Sequence, residues 1–468
     1  MKILLVEDEG RSARQTRDSI ARSAPGADVT VADCRDSALE LIANDDFDLI
    51  VCDVKIPPTA NSADVNEKHG LSVQAEARAC CPGTPTIFLT GFAPEIDVRR
   101  QLSRGGVGVI FGLDAYPLTQ LIEKDEVEEL ERAIAELHVA EQSLTNGCFI
   151  PPEPTVDEML ARAVRMYART TSHSSAQLTS TTGLSGARTC IVELESEAGS
   201  PASVFIKVLP RDEALAEFDK YSRFVPNRLA PGTFAPVLPP VETGLRKDAA
   251  LVSTLAAPGS ESLFRRMSND PSSAARAVDG LAEALAPWRL SSTVLQVPLS
   301  DLRRKFVSDD RLHELGVDPA DLAALEAATV AMTSAIAHGD LHGENLLVGA
   351  ENRPLLIDFG DAGVAHAVTD PVVLEASLLF HRNGPLREND RLRRGGINCW
   401  LDLEWLCQEN PLEEVIRATR RWSDSVDTRQ AAAAMLYAHT IRQIKYGEIE
   451  KEQLLGLAVA CADVAREQ

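Results

Sequence analysis

The stretch Ile336–Ala337–His338–Gly339–Asp340–Leu341–His342–Gly343–Glu344–Asn345–Leu346–Leu347–Val348 decides how the chain is read. Thirteen residues after Asn345 comes Asp358, inside Leu355–Leu356–Ile357–Asp358–Phe359–Gly360–Asp361. An Asp, a nearby Asn and a second Asp beyond a short apolar hairpin are the side chains that phosphoryl transfer needs. One carboxylate orients the attacking hydroxyl or accepts its proton, while the amide and the second carboxylate hold Mg2+ against nucleotide phosphates. Asp340 is therefore the candidate catalytic residue, with Asn345 and Asp358 the candidate metal ligands. Leu346–Val348 and Leu355–Ile357 read as strands, and Asp321–Ala337 reads as a helix leading into the loop.

Working outward, the length of 468 residues calls for two or three folding units. A hydrophobic fraction of 44% with 25% charged residues suits a water-soluble globular chain with sizeable cores. The net charge of −23 argues against nucleic acid or an anionic membrane as the main partner. Arg391–Leu392–Arg393–Arg394 is the one basic run, and it reads as a solvated helix end. Nine cysteines without metal-ligand spacing read as reduced thiols in a cytoplasmic protein. Met1–Lys2–Ile3–Leu4–Leu5–Val6–Glu7–Asp8 turns acidic after a few apolar residues, so it reads as a buried strand and not as a signal peptide.

In the first 118 residues strands and helices alternate, the pattern of a parallel sheet. Ile3–Val6, Asp28–Ala32, Leu49–Cys52, Thr86–Leu89 and Val107–Phe111 read as its five strands. In such sheets the functional crevice lies beyond the carboxyl ends of the strands. That edge collects Glu7, Asp8, Asp53 and Thr90. Converging carboxylates repel one another unless a cation sits among them, which points to Mg2+ with Asp53 placed to attack a phosphoryl group. The alternative is a flavodoxin-like sheet whose acidic edge is merely solvated.

Val6–Glu7–Asp8–Glu9, Cys52–Asp53–Val54–Lys55–Ile56–Pro57 and Phe88–Leu89–Thr90–Gly91 resemble the receiver domain of two-component response regulators. The resemblance implies Asp53 as phospho-acceptor, Glu7 and Asp8 as Mg2+ ligands and Thr90 as the switch residue on the phosphoryl oxygen. It also implies a sensor histidine kinase or a small phosphodonor as partner. The sequence departs from the pattern in two places, the aromatic switch position of the fifth strand, which falls on Val109, and the Lys that follows it; an extra polar stretch, Thr59 to His69, also follows the acceptor loop. A Lys is expected just after the fifth strand, and reading that strand as Val107–Phe111 puts Gly112 there.

Between residues 119 and 150 the chain reads as a helical connector, with Val127, Leu130, Ile134, Leu137 and Leu144 forming a narrow apolar seam. Two readings of the seam stay open: a last receiver helix packed on its own domain, or a short coiled coil that makes a homodimer. Asn146–Gly147 and Pro151–Pro152–Glu153–Pro154 then mark a boundary.

From 151 to 468 the sequence reads as an α+β bilobal domain, with an N-lobe at about 170–255 and a helical C-lobe at about 256–468. Gly183 and Gly186 stand in a hairpin that would let backbone amides approach phosphates. Lys207, inside the apolar run Val204–Phe205–Ile206–Lys207–Val208, needs a partner, and Glu217 on the next helix can supply one. With His338–Gly339–Asp340 and Asp370–Pro371, this series resembles the kinase-like phosphotransferases of the aminoglycoside phosphotransferase and choline kinase branch. The resemblance implies that Lys207 and Glu217 form the nucleotide ion pair, that Gly183–Gly186 is the phosphate loop and that ATP with Mg2+ is the cofactor. Asp361, Asp370 and Glu375 are candidates for a cationic acceptor, with Asp370 read first as a helix cap. Trp400, Trp405 and Trp422 read as core aromatics, and His338 as a structural residue bonding backbone near Asp358.

Two functions compete at this point. One is an ATP- and Mg2+-dependent phosphotransferase, governed by the receiver, with an unknown hydroxyl acceptor on a small molecule or protein. The other is a nucleotide-binding kinase fold without transfer, a signalling or scaffold protein. That reading resembles the ternary-complex-associated domains of bacterial conflict systems.

Overall fold

The computed structural model describes residues 1–91, 106–152, 156–180, 188–196, 201–255, 260–394 and 396–467. The described chain forms two compact units: residues 1–215 with 237–255, and residues 216–236 with 256–468. Gly183 and Gly186 lie outside the described residues.

The first unit opens with a doubly wound sheet. Strands β1 (Lys2–Val6), β2 (Asp28–Ala32), β3 (Leu49–Asp53) and β4 (Thr86–Thr90) are joined by helices α1 (Gly10–Ser23), α2 (Arg35–Asn44) and α3 (Glu67–Cys80). Every residue of β3 and β4 is buried, as expected for central strands covered on both faces.

The fifth parallel strand is not Val107–Phe111. That segment forms β5 (Val107–Ile110), which turns back on β6 (Leu113–Pro117) as an antiparallel hairpin. Phe111 and Gly112, with φ of +50° and +84°, make the turn. The sheet is completed by β7 (Thr119–Glu123), parallel to β4, giving the order β2-β1-β3-β4-β7. The hairpin drew the reading because it is the more apolar run. The true strand reads Thr-Gln-Leu-Ile-Glu, and of these only Ile122 is fully buried.

Helix α4 (Val127–Gly147) follows directly, and Arg22 of α1 bonds Glu131 on it. Leu130, Ile134, Leu137 and Leu144 are buried in a core shared with β1, β3 and β4, while Val127 is exposed. The seam that a coiled-coil dimer would need is thus spent inside the chain.

Helix α5 (Glu158–Thr170) leads into an antiparallel sheet of β8 (Ser175–Ser180), β9 (Arg188–Glu195), β10 (Ala202–Pro210) and β11 (Asp248–Leu255) in the order β11-β10-β9-β8. Its buried face continues the same core. Asp48, at the start of β3, is fastened to this part by Arg162 (2.6 Å) and Arg246 (2.8 Å).

Helix α6 (Arg211–Phe224) carries the chain into the second unit. That unit is mainly helical. The residues before the Asp340 loop differ from the helix expected there: α-helix covers only Pro319–Glu326, and Thr329–Ala337 is a strand. Its alternating burial and its β-branched Thr329, Val330, Thr333 and Ile336 have strand chemistry. It pairs with Thr293–Pro298 on one side and Gly363–His366 on the other. A second small sheet joins Glu261–Ser262, Leu346–Val348 and Pro354–Leu356. The unit's longer helices include Thr369–Phe380, Glu413–Val426, Arg429–Gln443 and Lys451–Ala465.

Candidate active site

The acidic edge of the first unit forms where β1 and β3 end. Glu7, Asp8 and Asp53 bring carboxylate oxygens within 4.8 Å of one another, with Glu7 and Asp53 buried and Asp8 exposed. Oxygen-only ligands at this spacing suit a hard divalent cation such as Mg2+. Thr90 ends the neighbouring strand and is buried.

One residue at this edge escaped the sequence reading. Lys124, immediately after β7, places its ammonium 2.7 Å from Asp53 and 2.6 Å from Glu7. Its backbone N–H donates to Thr90 O, which fixes where the side chain starts. Gly112 is instead the hairpin turn, where a side chain would collide with Arg169. The signal was present: a lone Lys directly after Leu121–Ile122–Glu123. Burial raises the Glu7 and Asp53 carboxyls above their ordinary values against the pull of Lys124. Burial opposes the charge of Lys124 as well, but its two carboxylate partners outweigh that and raise it.

In the second unit the loop after Thr329–Ala337 is held from below. The two oxygens of Asp370 accept from the backbone N–H groups of His338 (2.9 Å) and Gly339 (3.1 Å). Asp370 therefore clamps the loop; the structure gives it this role and not that of a helix cap. Gly339 has φ +87°, and a Cβ there would lie 2.4 Å from the carbonyl oxygen of Asp361. Only glycine allows that approach. The fully buried His338 ring pairs through Nε2 with the carbonyl of Ile357 at 2.9 Å, tying the loop to the residue before Asp358.

Asn345 fastens the other side. Its amide Nδ2 donates to the carbonyl of Asp340 (2.9 Å), and its backbone carbonyl accepts from Ile357 N–H (3.1 Å). Asn345 Oδ1 is the side-chain atom left to meet a cation, which suits Mg2+. Asp358 stands at φ +62°, a left-handed backbone conformation uncommon outside glycine.

Asp340 is about a third exposed, and its two oxygens meet different neighbours. Arg442 lies 3.3 Å from Oδ1, and His342 Nε2 lies 3.8 Å from Oδ2. Arg442 sits on helix Arg429–Gln443, some hundred residues further along the chain, and no local motif announced it. Burial, foremost, drives the His342 imidazole down to about 4 and the neighbouring His381 down to about 3.

The proposed acceptor carboxylates are largely spent. Besides Asp370, Glu375 takes Arg420 in a two-pronged ion pair with both contacts at 2.6 Å. Trp400 and Trp422 are buried, and Trp405 lies under the guanidinium of Arg391 at 3.8 Å.

Lys207 is buried on β10, opposite Thr189 and Leu251. Glu217 is buried on α6. They belong to the first and the second unit respectively.

A family model for the response regulator receiver domain matches residues 3–112, and one for ternary complex associated domain 9 matches residues 273–437. No curated protein matches the chain. Among solved structures, the receiver domain of Francisella response regulator 1452 is similar at 21% identity, covering 30% of this chain and 98% of its own, with a TM-score of 0.23. Aminoglycoside phosphotransferase APH(4)-Ia is similar at 14% identity, over 65% of this chain and 97% of its own, with a TM-score of 0.37. A thermostable mutant of that enzyme, in ternary complex with ADP and hygromycin B, is similar at 15% identity over 62% and 93%, with a TM-score of 0.35. The chain thus pairs an N-terminal match to the response regulator receiver domain with a later match to ternary complex associated domain 9.

Proposed function

We propose that the protein is an ATP- and Mg2+-dependent phosphotransferase that acts on a hydroxyl group under control of its receiver domain. The single observation that carries this reading is the loop around Asp340. Asp370, His338 and Asn345 hold it at three points, leaving the Asp340 carboxylate partly exposed. Rigid support of this kind is what a positioning catalyst requires. In the reaction, the acceptor oxygen forms a bond to the γ-phosphorus as the bond to ADP breaks, and Asp340 orients the hydroxyl and takes its proton. Asn345 and Asp358 would hold the metal, which neutralises phosphate charge when bound. Lys207, whose charge Glu217 would balance, and the backbone at Gly183–Gly186 would engage the nucleotide phosphates.

At the other end, Asp53 would accept a phosphoryl group from a sensor kinase or a small phosphodonor in the cytoplasm. Glu7 and Asp8 would carry Mg2+, and Thr90 and Lys124 would meet the phosphoryl oxygens.

The match of residues 273–437 to ternary complex associated domain 9 favours a second reading, a nucleotide-binding module that assembles with partners without transfer. Full-length protein with labelled ATP and a screen of small-molecule and peptide acceptors separates the two. Transfer that disappears in Asp358→Ala supports the phosphotransferase. Stabilisation by Mg-ATP with no transfer to any acceptor supports the module.

A further inference from the structure

The β5–β6 hairpin inserts before the last strand of the receiver sheet, and it reaches two places at once. Only Leu118 separates its end at Pro117 from β7, and Lys124, the partner of Asp53, follows β7 directly. Leu118 is pinned to the sheet by its carbonyl, which accepts from Thr86 N–H at 3.0 Å. At the other end, Phe111 is 1% exposed even though it sits at a hairpin turn.

Phe111 is held by residues from beyond the receiver. The Arg162 guanidinium lies 5.0 Å from its ring centroid, and its carbonyl accepts from Arg169 at 3.3 Å; both arginines belong to α5. Its ring packs close to Gly244. Beside it, the Val109 carbonyl accepts from Thr243 Oγ1 at 2.7 Å. A bulky residue at positive φ persists only where its surroundings over-determine it, and here they do. Arg162 also bonds the Gly244 carbonyl at 3.2 Å, so tip, helix and loop form one contiguous set.

We propose that this hairpin is the receiver's output surface, and that its partner is this chain's own α5 and the 241–246 loop leading into β11. The proposal rests on Asp53 being the phospho-acceptor. Modification adds charge to the group that Lys124 contacts, so its ion pairs with Asp53 and Glu7 must rearrange. The strand that ends at Lys124 begins at the hairpin. The hairpin tip is fixed against α5 and the loop, and packed contacts of this kind transmit small shifts between discrete arrangements.

Hydrogen exchange measured by mass spectrometry on the full chain tests this, with Mg2+ and acetyl phosphate as donor. An Asp53 oxygen forms the new bond to phosphorus as acetate leaves with its own oxygen. Intact mass should rise by one phosphoryl group, and exchange should change in residues 107–117 and 241–246. Asp53→Asn should show neither. Phe111→Ala, and the milder Thr243→Val, which removes one surface hydrogen bond, should still be phosphorylated yet lose the change at 241–246. Phosphorylation without any change in those two segments overturns the proposal, as does undiminished transmission in both variants. Absence of a mass gain removes the phospho-acceptor reading and the proposal together, and it is distinguished by the mass alone.

Discussion

The Lys124 ammonium lies 2.7 Å from Asp53 and 2.6 Å from Glu7, bridging two buried carboxylates that would otherwise face each other. Lys124→Met leaves that pair and Asp8 without their cation. Removing one partner from a buried ion pair costs about 3–5 kcal/mol, and the partial exposure of Lys124 brings this to roughly 2–3 kcal/mol. Mg2+ can take over the neutralising role in the variant. Thermal unfolding should therefore show a lower midpoint for Lys124→Met, and millimolar Mg2+ should raise that midpoint more than it raises the wild type's. Equal midpoints, or an equal response to Mg2+, would show that the bridge has little effect on stability.

Arg442 reaches Asp340 from a distant helix, and on the phosphotransferase reading it fixes the carboxylate that handles the acceptor. Arg442→Ala should lower turnover roughly tenfold to a hundredfold, less than the roughly hundredfold to thousandfold lost with a donor that stabilises developing charge directly, because Arg442 acts through Asp340. Arg442→Lys should recover part of it. Binding of Mg-ATP, followed by calorimetry, should stay within error of the wild type in both. A matching loss of nucleotide affinity would mean that Arg442 supports the fold of the site and not the position of Asp340.

Gly339 offers a purely steric test. With φ at +87° and the Asp361 carbonyl 2.4 Å from a would-be Cβ, Gly339→Ala forces the loop to shift. The strained backbone alone costs about 1–3 kcal/mol. The unfolding midpoint should fall, and the loop's grip through Asp370 should loosen. Exchange protection of the His338 and Gly339 amides, which Asp370 accepts, reports that loosening directly. Unchanged protection would rule it out.

What the sequence made legible follows the range of the interactions involved. Asp53, Asp340, Asn345 and Asp358 stand in local motifs, where a few neighbouring residues set the backbone that carries them. Lys124 was missed because strand order is not a local property. The apolar β5 imitates a buried central strand, while β7 lies at the edge of the sheet and carries polar residues on both faces. Thr329–Ala337 misled in the opposite way. Its Ala and Met residues suit a helix, and pairing with strands on both sides overrides that preference. Arg442 had no sequence signal, since only tertiary packing brings its helix to Asp340. The seam on α4 was correctly seen as apolar, but the sequence could not say that its own domain would cover it.

The buried carboxylate Asp48 gives a prediction with a pH sign. Burial acts against its charge, but bonds and charge from Arg246 and Arg162 prevail and hold its carboxyl well below the usual range. In the unfolded chain the group titrates near an ordinary Asp value of about 4. A depressed folded value means that the unfolded state binds the extra proton as pH falls below about 4. The stabilisation is therefore complete above that pH and is lost as pH drops toward the folded value. Asp48→Asn removes the charge and leaves two buried guanidinium groups undercompensated, at a cost of about 3–5 kcal/mol near neutral pH. Urea unfolding of wild type and variant at pH 7, 4 and 3 should give midpoints far apart at pH 7 that converge on acidification. A gap that stays constant across this range would show that the Asp48 charge adds nothing to stability and that the variant acts through packing alone.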